Sequence, residues 1–296
     1  MIKRKGIVWM WFVAMLAIVA SSVYGQSPGS GQAASPGAGQ PAAPSALASD
    51  TTSKPASSGD KWEFMIAPYI WAVQINSKVT VKGYSADTTT YFSDIVNNLN
   101  AGFLGHFEAT KGGQFGFFLD VIYLKLRGDG DFTRTRGPGL IQPPTHDLTL
   151  TTEASIVEGG AFYRLVNCPI AGKPGQAITV DALGGLRYWY VSTNLDTTSI
   201  VNPSGNDSWV DPFVGARAQI DLTKQLWFNI RGDVGGFGVG SQFSWNTLAG
   251  FGYRFTPAIT GMLGYRAMYI DYRKSSASTK YEETFYGPIA GVSYTF

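Results

Sequence analysis

Residues able to do chemistry are scarce in this chain. Among 296 residues there are two histidines and one cysteine, too few for a histidine- or cysteine-rich metal site. His106 and Glu108 stand two apart, so on a strand they share a face, and an acid-bound imidazole is what a general base requires. No serine beside them stands in a recognisable nucleophile motif, so no triad follows. His146, next to Asp147 and after Pro143-Pro144, reads as a solvated loop histidine. Asp129 and Asp131 around Gly130 hint at calcium, but no full loop pattern follows. Gly235 to Gly240 lacks a Walker lysine and a following helix and reads as a flexible strand end. Cys168, in a turn, has no partner for an intrachain disulfide. The expectation is no catalytic residue, no metal and no cofactor. A lipid-modifying enzyme is kept as an alternative.

The charged residues say more once their positions on strands are known. Alternate residues of a strand point to opposite faces, and segment after segment alternates apolar with polar. Phe228, Ile230 and Val234 face away from Asn229, Arg231 and Asp233. Phe243, Trp245, Phe251 and Tyr253 alternate with Ser244, Asn246, Gly252 and Arg254. Val210, Pro212 and Val214 alternate with Asp211, Gly215 and Arg217, and Phe115, Phe117 and Leu119 with Gly116 and Asp120. Ten strands satisfy the pattern, at about 62–74, 101–111, 114–127, 148–166, 176–193, 208–222, 225–237, 242–255, 258–272 and 281–296. Their connections alternate short (111–113, 223–224, 256–257) or medium (167–175) with long or polar (75–100, 128–145, 194–206, 239–241, 274–280). The first strand is apolar on both faces and has no readable orientation. The stretch 76–92 reads as a loop excursion, followed by a short helix Asp94–Leu99 with Ser93 as its N-cap. A hairpin through Val79, Val81 and Thr88 to Phe92 would raise the count to twelve; eight strands is a further alternative.

Parity collects the strand charges on one face. The acids are Glu108, Asp120, Glu158, Asp181, Asp211, Asp233 and Glu283; the bases are Arg164, Arg187, Arg217, Arg231, Arg254 and Arg266. Enclosed charges must be paired and hydrogen-bonded, and arginine offers planar bidentate geometry for it. Gly185, Gly215, Gly252 and Gly264 each precede by two the arginines Arg187, Arg217, Arg254 and Arg266, which suggests room left for each guanidinium. Two readings stay open: a lumen filled by Arg–carboxylate networks, and a narrow polar conduit for ions or small solutes.

Composition points the same way. Charged residues are 15% of the chain and hydrophobic ones 44%, against roughly 25% charged in ordinary globular chains. Glycine supplies 36 residues and aromatics 14%. No apolar run reaches the 18 or more residues of a membrane helix, and a net charge of +2 excludes a strongly basic nucleic-acid binder. Few charges, many aromatics and hidden alternation describe a transmembrane β-barrel. Lys3, Arg4 and Lys5, the apolar run Ile7 to Ala20 and small residues to Gly25 make 1–25 a secretory signal peptide. Residues 26–60, rich in Ala, Ser, Gly and Pro, cannot bury enough surface to offset their ordering entropy and read as a disordered periplasmic segment. The barrel then occupies 61–296.

The last residues, with Gly291, Tyr294 and the terminal Phe296, resemble the C-terminal assembly signal of bacterial outer-membrane barrels; Ile289 departs from it, where a polar residue is usual. Trp62-Glu-Phe with Pro68-Tyr-Ile-Trp-Ala72, Phe92-Ser-Asp-Ile95, Asp211-Pro-Phe-Val-Gly-Ala-Arg217, Gly232 to Gly240 and Gly252-Tyr-Arg-Phe255 resemble uncharacterised Gram-negative outer-membrane proteins, broadly akin to small OmpA- and OmpW-like barrels. The resemblance implies fold and location, and no catalytic residues. The reading is therefore an all-β, antiparallel outer-membrane barrel, structural or weakly pore-forming. Its partners would be membrane lipid and, during biogenesis, the barrel-assembly machinery; it would bind no nucleic acid and act as a monomer. A surface-loop adhesin or receptor using 128–147 and 194–207 is the rival reading.

Overall fold

The computed structural model describes residues 61–296 except 82–83, 133–145, 198–203 and 275–278. The signal-peptide and leader readings, and parts of the three longest expected loops, lie outside these residues. So do the side chains of Asp129, Asp131, His146 and Asp147.

Twelve strands and one short helix follow in order. They are β1 (Trp62–Trp71), β2 (Gln74–Val81), β3 (Tyr84–Thr90), α1 (Phe92–Asn97), β4 (Leu99–Lys111), β5 (Phe115–Phe132), β6 (His146–Pro169), β7 (Ala177–Thr197), β8 (Ser204–Asp221), β9 (Leu226–Gly235), β10 (Phe243–Arg254), β11 (Ile259–Lys274) and β12 (Thr279–Thr295). Sequential neighbours pair antiparallel from β4 to β12, and β1 closes the circuit by pairing both β4 and β12. The closed barrel thus has ten strands, as the alternation predicts. Over the height of β1 this closure leaves no strand edge unsatisfied, the condition for a sheet surrounded by lipid.

The stretch read as a loop at 76–92 is instead the hairpin β2–β3. β2 continues the line of β1 along β12, pairing Gln74↔Tyr286 through Val81↔Thr279. The hairpin, which the sequence offers as the alternative to a loop, is not the preferred reading there because Asn76, Ser77, Lys78 and Thr88 to Thr90 show no lipid-type apolar face. Among the described residues β3 pairs only with β2, and β4 from Leu99 to Leu104 pairs only with β5. In this half the wall is therefore open between β3 and β4, and α1 packs Ile95 against the core beneath. The helix starts two residues earlier than expected. Tyr91, not Ser93, stands at the N-cap, and the Asp94 carboxylate in the first turn accepts its backbone N–H at 3.2 Å. A carboxylate in the first turn also suits the helix dipole.

The exterior shows where the lipid would sit. On β5 the outward residues run Phe115, Phe117, Leu119, Val121, Tyr123. The next outward tier begins with the ion pair Lys125–Glu153 at 2.7 Å. At the same end, Lys280–Glu282 (2.7 Å) and Arg273–Asp271 (3.2 Å) also face outward. An apolar run from Phe115 to Tyr123 matches the about 9–11 residues a tilted strand needs to cross a bilayer. Aromatic residues rim both ends: Trp62, Phe115, Tyr163 and Phe255 near the termini, Phe103, Tyr123, Tyr190 and Phe243 at the other. The open seam beside β3 belongs to the polar zone beyond the second rim, where water can satisfy its free edges. The long strands β5 to β8 also extend into that zone; their pairing reaches Phe132↔His146, well into the expected loop 128–145.

At the terminus-bearing end the connections are short, with Gly112, Gly113, Gly172 and Gly175 at positive φ, the backbone state only glycine adopts freely. Cys168 is exposed and lies within β6, not in the turn that follows it.

The first strand can now be oriented. Trp62, Ile66 and Ile70 face outward and are exposed, while Ala67, Tyr69 and Trp71 are buried inside. Both faces are apolar because the lumen at this height is itself aromatic. Ile289, the departure from the assembly pattern, pairs with Trp71 and packs against the same internal cluster.

Candidate functional site: the charged lumen and the chamber above it

The thirteen residues that parity places inside occupy successive tiers. Nearest the termini, Arg254 Nη2 reaches Asp221 Oδ1 at 2.9 Å, an acid the sequence reading did not select. Next, Arg217 grips both carboxylate oxygens of Glu108 at 2.6 and 3.0 Å and donates Nε to Asp181 at 2.9 Å. Arg164 Nε donates to the other oxygen of Asp181 at 2.8 Å. Arg254, Arg217, Glu108, Asp181 and Arg164 face a cavity of about 390 Å³ that Glu63, Thr110 and Gln219 also line.

The third tier spans the lumen. Arg187, fully buried, donates Nε to Glu158 at 2.9 Å and Nη2 to Asp233 at 2.6 Å. Arg231 binds the same two acids, Asp233 at 2.9 Å and Glu158 by a short contact. Asn246 donates to Asp233 at 2.8 Å and accepts Arg266 Nε at 3.1 Å; Arg266 Nη1 then reaches Asp120 at 3.0 Å. Tyr69 donates its hydroxyl to Asp120, also at 3.0 Å. His106 links this tier to the one below, with Nδ1 at 3.3 Å from Asp120 and Nε2 at 3.6 Å from Glu108. Aromatic rings fill between the charges: Arg187 lies 4.8 Å from the Phe213 ring centre, Arg217 4.3 Å from Phe162 and Arg231 5.1 Å from Phe118. Each tier balances acids with arginines, which is how a low-dielectric interior tolerates charge.

Two of the acids do not join. Asp211, fully buried, meets no arginine; it accepts the Trp189 indole N–H at 2.9 Å and the Ser241 backbone N–H and hydroxyl at 2.6 and 2.7 Å. That triple contact pins the glycine-rich connection 236–242 against the wall, where a flexible strand end was expected. Glu283 sits higher still, and its carboxylate accepts a hydrogen bond from the Ser77 hydroxyl at 3.1 Å. The two acids escape the network for one reason: parity gives the face of a residue, not its height.

The role assigned to the glycines before arginines is also corrected. A Cβ at Gly185 would lie 2.1 Å from the Gly159 carbonyl oxygen, one at Gly215 2.2 Å from that of Gly232, and one at Gly264 2.5 Å from that of Ala249. At Gly252 it would strike the Trp227 ring. These glycines let neighbouring strands, or an indole, come close; no guanidinium is among the nearest atoms.

Above Asp211 the lumen changes character. Five rings follow one another: Phe285, Trp189, Trp209, Tyr272 and Tyr281, with successive centroid separations of 6.2, 6.0, 4.1 and 6.1 Å. With Ile95, Leu124 and Ile270 they bound a second cavity of about 150 Å³. The alternation could not find this chamber, because it assigns aromatic residues to the lipid side. Trp189 is the opposite case, buried between the outward Tyr188 and Tyr190.

The terminal strand is placed at the seam. Phe296 exchanges backbone hydrogen bonds with Phe64 at 2.8 and 2.9 Å, its ring stacks with Phe64 and Tyr294, and Gly291 lies against Tyr69. No group of three or more His, Cys, Asp or Glu in metal-holding geometry occurs among the described residues.

A closed antiparallel circuit, apolar outside and charged inside, is the architecture of a membrane-spanning β-barrel. No family model matches the sequence, and no curated protein matches it. Among solved structures the chain is similar to the outer-membrane protease OmpT of Escherichia coli, at 11% identity and a TM-score of 0.46, over 80% of this chain and 98% of that one. It is also similar to the translocator domain of the autotransporter NalP of Neisseria meningitidis, at 14% identity and a TM-score of 0.37 over 81% and 90%. A third is Ail, the attachment invasion locus protein of Yersinia pestis, at 12% identity and a TM-score of 0.32 over 79% and 98%.

Proposed function

We propose that the protein is a monomeric barrel of a Gram-negative outer membrane, exported through its 1–25 leader, whose lumen is closed to solutes at mid-height. Lipid holds its apolar belt, and the barrel-assembly machinery reads its last strand through Gly291, Tyr294 and Phe296. The observation that carries this reading is the tier Glu158–Arg187–Asp233–Arg231 with Asn246, which lies across the lumen between β6, β7, β9 and β10. A solute crossing there would have to part buried ion pairs, each costing several kcal/mol to separate. The reading is of a structural protein, not a hydrolase: His106 is held between the carboxylates of Glu108 and Asp120, each of which also binds an arginine, and no serine hydroxyl is among its partners in the described residues.

The test is planar-bilayer conductance of the refolded full chain. The expected result is no discrete current steps for the wild type. Steps would appear when Glu158, Arg187, Arg231 and Asp233 are all replaced by serine. Ohmic steps in the wild type would overturn the closed-lumen reading. Recovery of the cellular protein in a soluble periplasmic fraction would overturn the location.

A further inference from the structure

Below Asp211 the arginines neutralise the carboxylates tier by tier. The outer chamber departs from that rule. Two carboxylates line it, Glu283 and Asp207, and no lysine, arginine or histidine stands among its lining residues. Asp207 receives a hydrogen bond from the Tyr272 hydroxyl. Glu283 is fixed by the Ser77 hydroxyl at 3.1 Å, and none of the arginines below reaches it. The Tyr281 hydroxyl is buried, at 8% exposure, with no hydrogen-bond partner among the described residues. Around these groups stand the five rings, from Phe285 through Trp189 and Trp209 to Tyr272 and Tyr281.

Aromatic faces attract cations through their quadrupole, Trp most strongly, and the attraction grows when water is excluded. A carboxylate in an apolar enclosure is costly unless an opposite charge meets it. A chamber that combines several ring faces, anionic groups and no internal base is complementary to a positively charged organic group. The volume of about 150 Å³ is that of a cavity known to accept one benzene-sized molecule. We propose that this chamber binds a small organic cation, a quaternary ammonium or protonated amine, with the Trp189, Trp209 and Tyr281 rings around it and Glu283 as its counter-charge. The site begins at the second aromatic rim and extends outward from it, above the charged tiers, so it does not depend on the lumen below being closed.

The experiment uses the full chain refolded in detergent micelles and checked by its heat-dependent gel migration. Choline is titrated against 3,3-dimethylbutan-1-ol, its uncharged isostere, following tryptophan fluorescence and calorimetric heat. The expected result is saturable choline binding at least tenfold tighter than that of the alcohol. Glu283→Gln should weaken choline at least tenfold while leaving the alcohol unchanged. Equal affinity for the two molecules would identify a pocket for neutral apolar compounds and overturn the proposal, as would the absence of saturable binding. The isostere comparison needs no variant, so it stands even if Glu283→Gln fails to fold. Conductance of the same preparation tests the closed lumen separately.

Discussion

Arg187 and Arg254 make the same kind of bond in different surroundings. Arg187 is fully buried between Glu158 and Asp233, whereas Arg254 is about one-third exposed beside Asp221. Arg187→Met removes one partner from a buried cluster and leaves carboxylates short of positive charge. It should lower unfolding free energy by about 3–5 kcal/mol. Arg254→Met should cost no more than about 1 kcal/mol, as exposed pairs do. Urea midpoints of the refolded barrel in lipid vesicles, read by gel migration, would check the ranking; equal losses would mean that burial does not set the cost. At this scale the sequence was informative about charge and silent about aromatics. Arg187 and Asp233 could be turned inward because their neighbours Leu186, Tyr188, Val234 and Gly232 leave no other sensible face. Phe118, Phe162 and Phe213 could not, since an aromatic residue is equally at home in lipid and in a packed lumen.

Strand-to-strand contact depends on where side chains are missing. Gly185→Ala would place a methyl 2.1 Å from the Gly159 carbonyl oxygen, so β6 and β7 would have to separate. A loss of about 1–3 kcal/mol is expected from such overpacking. Gly232→Ala meets nothing within 4 Å and should change stability by no more than about 0.5 kcal/mol. The same vesicle-based unfolding separates them, and equal effects would reject a close-approach role for Gly185. Spacing pointed to Gly185 by its distance from Arg187, which was the wrong reason. The contact that matters is across the ladder, Gly185↔Gly160, and a single sequence holds no record of register. The β2–β3 hairpin was only an alternative for a related cause. Its strands stand beyond the belt, where no lipid-facing apolar row is required, and its inner face is built of Ile75, Ser77, Thr88 and Thr90, so the two-faced pattern on which strand detection relies is weak.

For the molecule as a whole, the apolar belt from Phe115 to Tyr123 and the rims of aromatic residues make insertion the step that exposes the fold to failure. Deleting Phe296 removes the reciprocal backbone bonds with Phe64 and the ring stack above them. Cells producing the truncated chain should hold several-fold less heat-modifiable protein in the membrane fraction, with the remainder unfolded or degraded. Undiminished recovery would show that the terminal residue has no part in assembly. The overall class was readable early, because a ten-residue membrane crossing forces the same alternation on every strand. The division of the interior into a neutralised half and an aromatic half was not, because it depends on height along the axis, to which a period of two is blind.

The seam where β1 meets β12 joins the beginning of the described chain to its end. Contacts between residues so far apart in sequence form late, after the loop-closure entropy of nearly the whole barrel has been overcome. Until β12 has been synthesised, β11 and β1 each have one free side, and no partial product is a closed object. Synthesis and closure of the barrel therefore cannot proceed in step: the growing polypeptide must be kept soluble as an open sheet or an extended chain until this strand is available.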